Sequence, residues 1–551
     1  MVAATGGQGK YAAPLMTTPP LPMRNDPLAA LPRLDRHKPK FGPVAKSKAS
    51  RWRAYVLILV HVLIGLHVLH WSMTGRTVTP VEPSEAMQTF ELGTINAGFL
   101  LFLALIASTL VFGRWFCGWA CHVVALQDLS AWLLGRIGLK PRPIRSRVLL
   151  FAPFVVAGHM FLWPHVKHWL DPVTKPMPKF DDWEWHLTTD AFWATFPGWI
   201  MSSLSVLVVG FLIVWWMGAK GFCNFGCPYG AFFAVADRFS PGKIKVTDAC
   251  DACGHCTQVC SSNVRVHEEV AIHKMVVDPA CMKCMDCVSV CPKDALYFGA
   301  ALPKPFAVSQ QRKNARADFT WGEDLAIGAI ALLATEWGFR RAWFGEQIPF
   351  LLSVGLGAIT ATAALLGWRL LRRRDVLFQH ASLKQAGSLL PRGRLVALAV
   401  FGWLLFALHT GVVNQMAQAA LDESAVVLGE QRRTRAVKPA DLQAASEALA
   451  RVDRFALWTP PAVLALHGLL LREVGQDALA VQQFERMVER RGFDPAKHNL
   501  APADNALALY YAVSGQNDRA ALLAEFVLEA NPGDATSREI LRRLGREPQA
   551  K

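Results

Sequence analysis

Long apolar runs, separated by short polar stretches marked with Pro and Gly, dominate the first three quarters of the chain. Six of them (54–71, 93–112, 147–165, 198–217, 347–371 and 395–413) approach or reach the ~20 apolar residues that a bilayer crossing needs. A seventh, 324–339, is shorter and carries Glu336. The pattern predicts a mainly α, polytopic helical membrane protein with about seven spans. It lapses twice. Residues 236–305 are polar and cysteine-rich, and residues 430–545 have the spacing of amphipathic helices.

Composition agrees, with 52% hydrophobic residues. The first 50 residues are Pro-rich and basic without an apolar core, which predicts a disordered tail rather than a cleaved signal. The net charge of +15 invites a nucleic-acid reading, but its distribution opposes one. Basic residues gather in the tail, in 114–147 (six against one acid) and in 369–394 (seven against one), whereas 72–92 and 166–197 are net acidic. That alternation is the positive-inside bias of a membrane protein, with the tail, 114–147, 218–320 and 369–394 in the cytoplasm. Seven spans then deliver the C-terminal region to the periplasm.

All twelve cysteines fall in motifs. CDACGHCTQVC holds Cys250, Cys253, Cys256 and Cys260; CMKCMDCVSVCP holds Cys281, Cys284, Cys287 and Cys291. Two copies of C-x2-C-x2-C-x3-C are the spacing of a two-cluster ferredoxin, in which each fourth Cys serves the other cluster. Zinc takes Cys in pairs, and a cytoplasmic loop is too reducing for disulfides. The expectation is two [4Fe–4S] clusters in an inserted α+β ferredoxin domain, 236–305. Cys250, Cys253, Cys256 and Cys291 hold one, and Cys281, Cys284, Cys287 and Cys260 the other. Pro292 follows the last Cys, while Ser261 stands at the matching place after Cys260.

The remaining four thiols form two C-x3-C pairs, GRWFCGWAC with Cys117 and Cys121, and AKGFCNFGC with Cys223 and Cys227. Membrane helices, paired C-x3-C motifs and a ferredoxin insert together resemble the membrane polyferredoxins of the NapH, NosR and CcoG group over roughly residues 50–300. That group's motif is C-x3-C-P, which CNFGCP matches; CGWACH departs from it with His122. The resemblance implies electron transfer at the quinone pool, service to periplasmic nitrogen-oxide reduction, or copper handling for oxidase assembly.

The thiol pairs belong to a larger repeat. HVLIGLHVLHW and HMFLWPHVKHW share H-x5-H-x2-H-W, giving His61, His67, His70 and His159, His165, His168. Each His helix precedes a second helix that ends in Phe-Cys-x3-Cys, so residues 51–235 read as two parallel repeats about an axis along the membrane normal. The two thiol pairs are then expected to meet at the inner face, holding a third cluster, a copper ion or a redox-active pair. His67 and His70 share a helix face, and with His165 and His168 they are candidates for haem b, another metal or a quinone/quinol site at the outer face.

Further transmembrane helices occupy 318–413. Beyond them, Gly468, Gly475, Ala480 and Phe484, then Ala508, Tyr511, Gly515, Ala520 and Pro532, follow tetratricopeptide-like offsets, resembling a helical-repeat surface for a protein partner. No dinucleotide or phosphate loop stands out. The leading expectation is an iron–sulfur electron-transfer protein, quinol-dehydrogenase-like, linking quinol or an outer-face centre to cytoplasmic-side clusters and a redox partner. The alternatives are a copper reduction and delivery factor, and a redox-sensing scaffold.

Overall fold

The computed structural model describes residues 43–139, 144, 146–170, 183–192, 196–309, 318–340, 342–343, 346–434, 437–493 and 500–546. The expected basic tail lies outside them up to residue 42. Each expected span contains a helix, but among the described residues only four helices are long and apolar enough to cross a bilayer: Lys48–Thr74 (α1), Trp199–Met217, Phe350–Arg372 and Pro391–Thr434.

The other three are shorter or interrupted. The loop after α1 carries a short helix, Ala86–Leu92 (α2). Residues Ala97–Phe112 form α3, sixteen residues long, which spans about 24 Å. Asn96 caps its start by accepting from the Phe99 N–H at 2.8 Å. Gly113 ends it with φ +76, where a Cβ would meet Asp237 Oδ1 at 2.5 Å and Lys283 Cε at 2.6 Å. After the short helix Trp115–Trp119 (α4) and His122–Arg136 (α5), the second His segment splits into Ala152–Phe161 (α6) and Trp163–Leu170 (α7). The seventh segment is the helix Trp321–Leu333, continued by a π-helical turn, Ala334–Gly338.

Two apolar cores organise the membrane part. Phe102, Phe161, Tyr229 and Phe233 join α3, α6 and the helix Pro228–Phe239 in one of them, which also contains Cys117 and Cys223. The other packs Met201, Ile213 and Trp216 against Leu352, Leu356 and Ala407 of the later helices. Helix α1 buries only Arg53 and Leu57. An apolar helix exposed nearly all round suits a lipid-facing position.

The ferredoxin segment is clamped by one antiparallel strand pair, Gly242–Val246 with Leu296–Ala300, in register Gly242↔Ala300 to Val246↔Leu296. Its ends therefore meet, and the cysteine loops lie between them. A second small sheet (376–378, 381–385 and 388–389) fills the basic 369–394 segment.

The last membrane helix does not stop at the expected 413. It runs on to Thr434, and its Ala417, Ala420 and Leu428 enter the core of the C-terminal helices. That core therefore begins before the expected boundary at 430. Pro461–Glu473 pairs with Asp477–Arg491, and Ala501–Val513 with Asn517–Ala530. Gly475 and Gly515, with φ +81 and +76, make the two turns. Gly468 leaves room for Phe484, whose ring a Cβ would meet at 2.4 Å.

Candidate iron–sulfur centres

The eight ferredoxin cysteines divide into two sets around two cavities. Cys250, Cys253, Cys256 and Cys291 line one. Cys260, Cys281, Cys284 and Cys287 line the other. Each cavity thus takes three sulfurs from one motif and the fourth from the other.

The loops are internally repeated in conformation as well as in sequence. Ala252 and Lys283 have φ +57 and +50, Gly254 and Met285 have +80 and +63, and Asn263 and Asp294 have +67 and +48. Such left-handed residues curl a loop around a guest and turn its amides inward. Four residues after each fourth Cys, a backbone N–H points at its sulfur: Val264 to Cys260 and Ala295 to Cys291, both at 3.3 Å. The exit turns also match, with Asn263 N–H on Cys260 O at 3.3 Å and Asp294 N–H on Cys291 O at 3.2 Å. Ser261 in place of a proline therefore leaves the turn intact.

Burial pushes the Cys256 thiol up to about 12, and raises Cys284 and Cys287 well above the usual thiol range. Without a cation these sulfurs stay protonated, so binding iron releases protons. Eight soft donors, closed loops and inward amides fit two cubanes.

The C-x3-C pairs adopt one local geometry twice. The first Cys sits in a five-residue helix (Trp115–Trp119 or Gly221–Phe225). The second caps the next helix, Cys121 with φ −78 and ψ 125, Cys227 with φ −80 and ψ 116. Pro228 occupies the first helical position, where proline is well tolerated; His122 occupies the same position without altering the cap.

Cys117 and Cys223 share a buried core, with Cys121 and Cys227 packed against it. The four thiols from the two halves thus share one core. Burial, then the neighbouring thiols, push Cys121 up to about 12 and Cys227 up to about 11. Among the described residues, no group of three or more His, Cys, Asp or Glu is gathered tightly enough to hold a single metal ion.

This thiol site abuts the ferredoxin segment. A Cβ on Gly118 would meet the Met282 carbonyl oxygen at 2.2 Å. Trp119 Nε1 donates to Lys283 O at 3.0 Å, and Arg114 Nη1 to Pro279 O at 2.9 Å. Met282, 1% exposed, belongs to the core of Cys117 and Cys223 and also lines the cavity of Cys260, Cys281, Cys284 and Cys287.

The histidines are placed otherwise. His67 Nε2 lies 3.0 Å from Val78 O, and His70 Nδ1 lies 2.8 Å from Thr77 Oγ1, so the following loop engages both. His165 and His168 lie on α7, none of whose residues is buried. Among the described residues, the expected four-His centre is not assembled. The reason is local: Pro164 follows the break at Leu162, so the second triplet does not continue one straight helix as the first does. His159 instead pairs with Glu336 at 3.4 Å.

Sequence reasoning missed what the loop after α1 does. It folds back so that Glu82 Oε2 lies 3.8 Å from Nε2 of His122, the residue after Cys121. Beside it, a cavity of about 600 Å³ is lined by Arg76, Glu85, Gln88, Asn96, Trp185 and His186 among others. Burial, then the Glu82 charge, hold the Glu85 carboxyl up to about 7. Clustered acids in 79–96 were the available signal.

Comparison with known proteins follows this geometry. A 4Fe-4S binding domain family matches twice, at residues 96–140 and 200–247, each match containing one C-x3-C pair. A 4Fe-4S dicluster domain matches residues 249–296. The chain is similar, at moderate identity, to 4Fe-4S ferredoxin-type proteins of the NapH, MauN and YccM kind. It is 27% identical over 232 residues to the methylamine utilization ferredoxin-type protein MauN of Methylobacillus flagellatus, covering 38% of this chain and 76% of that protein. It is 30% identical over 242 residues to the putative electron transport protein YccM of Escherichia coli K12, covering 41% and 63%. With the ferredoxin-type protein NapH of Haemophilus influenzae the identity is 28% over 211 residues, 36% and 65%. The chain thus spans slightly less than two thirds of YccM and NapH. No solved structure matches. These relatives are ferredoxin-type and electron transport proteins, which accords with iron–sulfur electron transfer in a membrane setting.

Proposed function

We propose that the protein is a membrane-bound electron carrier with three iron–sulfur centres in series. The first is held by Cys117, Cys121, Cys223 and Cys227 at the inner end of the two-fold membrane repeat. The second, held by Cys260, Cys281, Cys284 and Cys287, adjoins it across Met282 and Gly118. The third, held by Cys250, Cys253, Cys256 and Cys291, is the exit, because Cys250 is exposed to a soluble partner. The observation that carries this reading is the convergence of the four repeat thiols in one buried site against the Met282 loop. Each match to the 4Fe-4S binding domain contains only two cysteines, so a four-thiolate cluster there needs both halves.

The electrons would come from the quinone pool. The cavity beside Glu85 is large enough for a small aromatic head group, and a carboxyl titrating near neutrality is suited to take a quinol proton. In this reading seven segments cross a bacterial inner membrane, with N-terminus and clusters cytoplasmic and the tetratricopeptide-like C-terminal helices offered to a periplasmic partner protein. A copper reduction or delivery role is less favoured, because the four sulfurs are not gathered for one ion. Reduction of the clusters by a quinol analogue in anaerobic protein, followed by EPR, tests the function; clusters that accept electrons only from dithionite would count against it.

A further inference from the structure

The four-thiol site lies in a layer of buried cations. Arg53, Arg114, Lys220, Lys243 and Lys283 are each at most 3% exposed. Among the described residues, three carboxylates pair with them. Asp128 engages Arg53 and Lys220, Asp286 engages Arg53 at 2.9 Å, and Asp237 engages Lys243 at 3.2 Å and Lys283 at 2.8 Å. The Arg114 guanidinium has no carboxylate within ion-pair distance among the described residues. Its Nη1 bonds Pro279 O, its Nη2 lies 3.8 Å from Cys117 Sγ, and its buried Nε has no partner.

Arg and Lys are almost never fully buried unless paired, and a buried charge left uncompensated is strongly destabilising. Five cations against three carboxylates call for an anion, and Arg114 marks where it belongs. The Nη2 of Arg114 also comes 3.3 Å from where a Cβ on Gly230 would stand, and that Cβ would lie 3.6 Å from Cys227 Cβ. The guanidinium is therefore wedged between the two thiol pairs. Both cations recur with the repeat: Arg114 lies three residues before Cys117, and Lys220 three residues before Cys223.

We propose that Arg114 and Lys220, one from each half of the repeat, are the counter-charges of the four-thiolate cluster and hold its reduction potential above that of a cluster without them. This rests on reading the four thiols as an iron–sulfur centre. Such a centre is a net anion that becomes more negative by one charge on reduction. One electron enters, no bond forms or breaks, and a buried cation favours the reduced form. Arg114 also ties the centre to Pro279 in the ferredoxin segment, so the residue that tunes the cluster also fixes its distance to the next one.

The test is a potentiometric titration of the full-length, detergent-solubilised holoprotein followed by EPR, with dithionite as the one-electron reductant. Arg114→Gln should lower the midpoint of the four-thiol centre, and Arg114→Lys should lower it less. Asp128→Asn releases Lys220 from its carboxylate and should move the midpoint the opposite way, upward. An unmoved midpoint in Arg114→Gln and Asp128→Asn, with the centre still present, overturns the proposal. If Arg114→Gln fails to assemble the centre, the sign of the shift in Asp128→Asn decides alone. An unsubstituted protein with only two cluster signals would instead remove the underlying cluster reading, and the proposal with it.

Discussion

Gly118 has no room for a side chain because the Met282 carbonyl oxygen stands 2.2 Å from where its Cβ would be. One residue lies between Cys117 and Cys121, the other between Cys281 and Cys284. This backbone-to-backbone approach brings the membrane thiols and the nearer ferredoxin cluster together, and only glycine permits it.

Gly118→Val should therefore loosen the junction without emptying the ferredoxin. Overpacking costs about 1–3 kcal/mol, which shifts the docking equilibrium by roughly five- to a hundredfold. Iron content of the ferredoxin segment should hold while quinol-driven cluster reduction slows by a similar factor in stopped-flow. An unchanged rate would show that electrons do not cross at Gly118.

The cross-ligated sets make a selective prediction. Cys291→Ser should damage the cluster of Cys250, Cys253 and Cys256 and spare that of Cys281, Cys284 and Cys287, although it lies in the second motif. EPR of the reduced variant reads which signal changes. Loss of the second cluster alone would mean that each motif binds its own.

Glu85 sets a pH dependence. Its carboxyl is raised to about 7, so it is neutral and unable to accept a proton below that pH, and becomes a base above it. Quinol-driven reduction should rise as pH passes through about 7, and Glu85→Gln should flatten the rise. A profile unchanged by the substitution would remove Glu85 from the proton route.

The cysteine chemistry was legible in the sequence because spacing alone dictates which sulfurs can surround one guest, as Cys291 joining Cys250 illustrates. That both thiol pairs lie in one core follows the repeat. The second His triplet was not placed by periodicity, because Pro164 follows a break in the helix that carries it. Glu82 and Glu85 were missed for the converse reason: an acidic loop reads as a solvated surface, and nothing local says that it folds back to His122. The continuous helix through residues 413–434 was hidden by the change from an apolar to an amphipathic pattern, which composition reads as a boundary.

The C-terminal helices give a test of topology. In the proposed topology, seven crossings from a cytoplasmic start put the C-terminal helices in the periplasm. Alkaline phosphatase fused after Lys551 should be active, and a fluorescent protein that matures only in the cytoplasm should stay dark. The opposite pair of results would require an even number of crossings.

The most direct measurement is EPR and iron analysis of anaerobically purified protein alongside Cys121→Ser, Cys227→Ser and the double variant. The ferredoxin segment accounts for about eight irons, and the account predicts a further cluster signal beyond them. Each single substitution should abolish that same signal, and the double should add little, as expected for residues acting on one site. Two cluster signals in the unsubstituted protein, or independent and additive losses in the variants, would contradict a shared centre between the two halves of the repeat.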